Sequence, residues 1–176
     1  MFRTAAGLAA TLAVLTAAQA QAATAPGKPC MTRPELRGMV AYMLPSTMTA
    51  VIDKCRPALP AGAAMLARGT VVVNELKAGQ SAAFPMARQA FTKFSGAEDK
   101  AGVEMFLAMP EETLKPLLEG FVTQKIVSDI KPEYCPDIER VFATLQPLPA
   151  ANYVDFITEV FSIAARDDKS IPVCAS

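Results

Sequence analysis

The sequence predicts an all-α fold: an irregular bundle of about six or seven short helices stapled by two disulfides. Three observations carry that expectation. Apolar residues recur at i, i+3, i+4 and i+7 in segment after segment, and prolines punctuate those segments. All four cysteines (Cys30, Cys55, Cys135, Cys174) lie downstream of a strong secretory signal, where an even set reads first as two disulfides.

The export signal occupies residues 1–22. Met1, Phe2 and Arg3 give a short positive start, and Ala5 to Ala18 is an apolar run too short and alanine-rich to span a bilayer comfortably. Two overlapping small-x-small sites, Ala18-Gln19-Ala20 and Ala20-Gln21-Ala22, place the mature start near Gln21 or Ala23. Cys30 follows Gly27-Lys28-Pro29 well past the apolar run, which disfavours a lipid anchor. Residues 23–176, about 154 in all, suffice for one helical domain with its own core in the periplasm or outside the cell.

Thr32-Arg33-Pro34-Glu35 is a capping box with proline in the first turn, and Leu36, Met39, Val40, Met43 and Leu44 continue it at helical spacing. Pro45 kinks or ends this helix. Met48, Val51, Ile52 and Cys55 resume the pattern up to Pro57, as two antiparallel helices or one bent one. A third helix is expected over Ala61 to Lys77, with Met65, Leu66, Gly69, Val72, Val73 and Leu76 inward and Gly79 as its stop. Within it Thr70-Val71-Val72-Val73 has strand character, yet the flanks are helical and no partner strand exists.

Pro85 then opens a short helix carrying Phe84, Ala87, Phe91 and Phe94. Ser95-Gly96-Ala97-Glu98 matches a second capping box, ahead of Val103, Phe106 and Leu107. Pro110 to Ile130 is the best amphipathic stretch: Leu114, Leu117, Leu118, Phe121, Val122, Lys125 and Ile126 along the main stripe, Glu111, Glu112, Lys115 and Glu119 off it. Acidic residues at its start suit the helix dipole, and Glu111 with Lys115 is an i, i+4 pair. Pro136 opens a helix with Ile138, Val141, Phe142 and Leu145 inward. After the rigid turn Pro147-Leu148-Pro149, a last helix from Asn152 to about Arg166 buries Val154, Phe156, Ile157, Val160, Phe161 and Ala164. Arg166 to Ser170 then returns the chain to solvent.

Helix geometry favours pairing Cys30 with Cys55 and Cys135 with Cys174. If Pro45 turns the chain, Cys55 returns to Cys30, whereas a straight helix would hold them roughly 35 Å apart and forbid the bond. The same logic applies on either side of Pro147.

Composition closes several functional classes. Removing residues 1–22 takes away Arg3 alone, leaving one fewer basic than acidic side chain, with no basic run and no tryptophan; nucleic-acid binding is not expected. With no histidine, serine-histidine and cysteine-histidine catalysis is excluded, and any general base would be a carboxylate or lysine. Glu111-Glu112 fits the dipole role better than an acid pair, Asp167-Asp168 reads as a solvated helix end, and Ser46, Lys54 and Lys125 lack supporting spacing for a serine-lysine set. Cys135, before Pro136, is the nearest thing to a redox thiol, but no Cys-x-x-Cys exists, and the thiols are too widely spaced for zinc.

Methionine is the more unusual feature. Of nine, eight follow Met1, and Met39 with Met43 and Met105 with Met109 lie at i, i+4. Thioethers fill gaps in irregular cores, line adaptable apolar surfaces, and can hold copper(I). The reading taken from this is a non-catalytic binding or interaction module with no cofactor. It would hold a protein client or apolar ligand in a groove of Met39, Met43, Leu118 and Phe121, between the amino-terminal helix pair and the Pro110 to Ile130 helix. A carboxylate-dependent enzyme or enzyme subunit of the periplasm is the competing class, and a structural envelope component the third.

Overall fold

The computed structural model describes residues 30–95, 100–165 and 173–174. The expected export segment lies outside them, as do Gly96, Ala97 and Glu98 of the second capping box and the solvent return at Arg166 to Ser170. The described residues form six α-helices: α1 (Arg33–Cys55), α2 (Ala64–Ser95), α3 (Lys100–Leu107), α4 (Glu111–Asp129), α5 (Cys135–Leu145) and α6 (Ala150–Ala164). Among those residues there is no strand; Met31 and Val173 form one isolated parallel bridge.

The capping box at the start of α1 is present. The Thr32 hydroxyl accepts from the Glu35 amide at 3.5 Å, and the Glu35 carboxylate accepts from the Thr32 amide at 2.7 Å. From there α1 runs 23 residues, straight through Pro45. The proline forfeits a backbone bond and crowds the preceding turn, a cost of about 3 kcal/mol or more. Buried side chains on both sides of it, Tyr42 and Met43 before and Ile52 and Cys55 after, hold the two halves to one partner and outweigh that cost.

The partner is α2, 32 residues long and uninterrupted by Gly79 or Pro85. Met65, Gly69, Val72, Val73, Leu76, Phe84, Ala87, Ala90 and Phe91 form one buried stripe along it, so packing along the full length overrides both local breakers. The Thr70 to Val73 run is helical within it. Thus α1 and α2 form an antiparallel hairpin whose turn lies at Pro57 and Pro60, not at Pro45. Gln80 donates to the Tyr42 carbonyl at 3.0 Å, the Tyr42 and Phe84 rings are 5.1 Å apart, and Lys93 meets Glu35. At Gly38 the backbones come so close that a Cβ would stand 2.3 Å from the Met86 Cβ.

Because α1 does not turn, the expected cysteine pairing is overturned. The bonds are Cys30–Cys174 and Cys55–Cys135, with Cα atoms 5.0 and 5.3 Å apart. Cys30 and Cys55 sit at opposite ends of a helix roughly 35 Å long, and each is tied to the carboxy-terminal half of the chain. Cys55 joins the end of α1 to the start of α5, and Cys174 joins the tail to Cys30, three residues before α1, where its amide also donates to the Met31 carbonyl at 2.9 Å. The Cys135 sulfur is consumed and fully buried.

Helices α4, α5 and α6 pack around this hairpin. Glu139 of α5 reaches across to accept the Ala64 and Met65 amides at 2.6 and 3.0 Å, capping α2 from 75 residues away. Arg37 meets Asp155 at 2.6 Å and Arg33 meets Glu159, which lays α6 antiparallel along the first half of α1. The face of α6 turned inward carries Tyr153, Val154 and Thr158. Phe156, Val160 and Ile163, the first two expected in the core, instead line its outer face, each between 42 and 58 % exposed. Val141 of α5 is likewise exposed, while Phe142 is buried.

Candidate functional site

The packing leaves a half-open cleft of about 250 Å³ where α4 and α6 flank α1. Six residues of α1 form its floor: Leu36, Met39, Val40, Met43, Leu44 and Thr47. Val122 and Ile126 line it from α4, Ile157 and Phe161 from α6, and Phe91 of α2 closes one end. No charged side chain is among them, and the walls expose no polar surface.

The four residues expected to form a groove separate into three environments. Met39 and Met43 do share one wall of the cleft. Leu118 is buried in the adjoining core with Tyr42, Met43, Phe84 and Leu114. Phe121 points away and is 76 % exposed, among the most open apolar side chains described. Leu118, Val122 and Ile126 form one i, i+4 row of α4 that meets the core and the cleft, and Phe121, on the neighbouring row, is carried out to solvent. The residues that complete the cleft are Val122 and Ile126, which stand in the expected apolar stripe, and Ile157 and Phe161 of α6, whose contacts with α1 join residues 118 and 126 apart in sequence.

Beside the cleft lies a polar cluster that spacing did not isolate. Glu119 was expected off the apolar stripe, yet it turns into the α1–α4 contact. Its carboxylate accepts from the Tyr42 hydroxyl at 2.8 Å, from Ser46 Oγ at 2.5 Å and from Gln80 Nε2 at 3.3 Å. Tyr42 and Ser46 are one turn apart on α1, so the carboxylate spans two successive turns and ties α4 to the hairpin. Burial first, and then the Glu119 hydrogen bond and charge, push the Tyr42 phenol well above the usual tyrosine range. The signal available was Glu119 lying three residues before Val122 on a half-buried face, where a carboxylate needs donors.

Other expected groupings are not brought together. Ser46 is held by Glu119, while Lys54 is exposed and Lys125 pairs with Asp129 at 3.3 Å, so no serine-lysine set forms. Glu111 pairs with Lys115 at 3.0 Å as the spacing implied, and the Lys115 ammonium lies 4.5 Å from the Phe84 ring centroid. Met109 packs against the core, whereas Met105 is exposed. Among the described residues, no three acidic or cysteine side chains cluster as metal ligands would.

A second groove, about 470 Å³, follows the Gly38 approach between α1, α2 and the start of α6. Its lining is largely small residues, such as Ala41, Gly79, Ala82 and Ala151, with Arg37 and Glu75 at its edge. Set beside known proteins, the chain matches no family model, no curated protein and no solved structure.

Proposed function

We propose that this protein is an exported, non-catalytic binding module that holds a small apolar molecule in the cleft between α1, α4 and α6. One observation supports the reading most: a half-open cleft whose exposed surface is apolar throughout. An apolar cavity of roughly 150 Å³ suffices to take up benzene, so about 250 Å³ suits an aromatic ring system or a medium-length acyl chain. Met39 and Met43 give the floor an adaptable surface. Export rests on the apolar run and cleavage sites of residues 1–22, with two disulfides suited to an oxidising compartment, and no helix among the described residues is long and apolar enough to cross a membrane.

The protein-client form of the reading draws on a different surface, the outward row Phe156, Val160 and Ile163 of α6. The enzyme class draws on Glu119 alone, and its carboxylate is occupied by three donors from α1 and α2.

Binding of the neutral dye N-phenylnaphthylamine, followed by its fluorescence, tests the cleft. Wild-type protein should bind it, Val122→Trp should block it by filling the space from the α4 side, and Phe121→Ala should bind it unchanged. Loss of binding in Phe121→Ala with retention in Val122→Trp would transfer the activity to the outer surface.

A further inference from the structure

One side chain of the cleft lining has hydrogen-bonding capacity, Thr47. Its Oγ1 is shut off from solvent and has no hydrogen-bond partner among the described residues. Helical threonines ordinarily return their hydroxyl to the carbonyl four residues back. Thr49, Thr92, Thr144 and Thr158 all do so here, at 2.7 to 2.9 Å. Thr47 does not, although it sits on the same helix as Thr49. Buried polar groups left unpaired are few in folded proteins and call for a reason. Thr123 Oγ1 is also unpaired, but Thr123 is not part of the lining.

Thr47 reaches the cleft while no polar surface is open there, so carbon is what it shows to the empty space. Threonine in a helix divides between two χ1 wells, and a step between staggered wells can carry the hydroxyl into the place the methyl held while the methyl moves to the third staggered position. An occupant with an oxygen at that end would be met by Oγ1, which both donates and accepts. An ionised headgroup drawn to the same place would be desolvated with no counter-charge, since the lining holds no basic residue.

We propose that the ligand is a neutral, mostly apolar molecule carrying one hydrogen-bonding oxygen, of the medium-chain alcohol type, and that Thr47 is the residue that recognises that oxygen. The assignment rests on the cleft being a binding site and specifies what it prefers. Thr47→Val keeps the shape and removes the hydroxyl; Thr47→Ser keeps the hydroxyl.

The test is displacement of N-phenylnaphthylamine by octanol, octyl chloride and octanoate at neutral pH. Octanol should lose roughly fivefold in affinity on Thr47→Val and recover on Thr47→Ser, while octyl chloride is indifferent to both. Octanoate should compete more weakly than octanol. Without ligand, Thr47→Val should melt no lower than wild type, because it removes an unpaired polar group. Equal octanol affinity in wild type and Thr47→Val, with dye binding intact, overturns the role of Thr47 and leaves the cleft as a non-selective apolar site. If neither dye nor octanol binds the wild type, the cleft reading falls and Thr47 falls with it.

Discussion

The Lys93 ammonium stands 2.6 Å from the Glu35 carboxylate, joining the last turn of α2 to the first turn of α1 across 58 residues of sequence. Glu35 also serves the capping box, so one buried carboxylate fixes both the start of a helix and the open end of a hairpin. Burial by itself would raise its pKa; the Lys93 hydrogen bond, the Thr32 amide and hydroxyl, and the Lys93 charge together hold it below the usual carboxylate value.

A depressed carboxylate contributes stability above its unfolded pKa and loses it as pH falls through the folded value. Wild-type protein should therefore lose stability progressively below about pH 4.5. Lys93→Met should cost about 2 kcal/mol at neutral pH, less than a fully buried pair because the lysine is 29 % exposed, and should flatten the acid limb of the profile. Urea denaturation at a series of pH values measures both; an unchanged acid limb in the variant would remove Glu35 as its source.

Two glycines in the same hairpin should respond to alanine in opposite directions. At Gly38 the added Cβ would meet the Met86 Cβ at 2.3 Å, a fixed atom that moves only with its backbone, so Gly38→Ala should destabilise by about 1–3 kcal/mol. At Gly79 nothing lies within 4 Å, so Gly79→Ala should stabilise by about 0.5–1 kcal/mol through helix propensity. Thermal melts of the pair decide it, and a matching sign in both would contradict the close approach at Gly38.

Tyr42 carries an alkaline counterpart. Its phenol is raised, and so is that of Tyr153, where burial leads, the Glu75 charge adds and Arg68 opposes. A raised group supplies its full stability below the unfolded pKa and loses it as pH climbs toward the folded one, so stability should decline above about pH 10. Glu119→Gln should bring the Tyr42 titration down and cost about 1–2 kcal/mol by weakening the α1–α4 tie. Ultraviolet difference spectra of tyrosinate formation against pH report the shift directly.

Peptide mapping without reduction should recover Cys30 joined to Cys174 and Cys55 joined to Cys135. In the chain-entropy model loops of 144 and 80 residues are each worth about 4–5 kcal/mol taken alone. Replacing Cys55 and Cys135 together by serine should lower the melting temperature and free α5 from the end of α1, with dye binding in the distant cleft lost only near the new transition.

Element type was legible in the sequence, and element length was not. The capping box, the Glu111–Lys115 pair and the α4 boundaries follow from local chemistry that operates within a turn or two. Pro45, Gly79 and Pro85 are also local signals, but whether each one ends a helix depends on what the next turn packs against. Once α1 and α2 are seen as two full-length stripes facing each other, all three breakers fall inside helices. The cysteine pairing failed for the same reason, since it hinged on a turn at Pro45. Met39 and Met43, one turn apart on α1, both line the cleft, whereas the placement of Phe121 outside it and of Glu119 against α1 depends on how α4 sits on the hairpin, which one helix's periodicity does not contain.

The cap that Glu139 places on the Ala64 and Met65 amides makes the longest helix dependent on a residue that emerges much later from the ribosome. Without α5, the Ala64 and Met65 amides lose their carboxylate acceptor, and the first turn of α2 loses its cap. A chain cut before α5 would therefore lose the cap of a helix that lies wholly within the part retained.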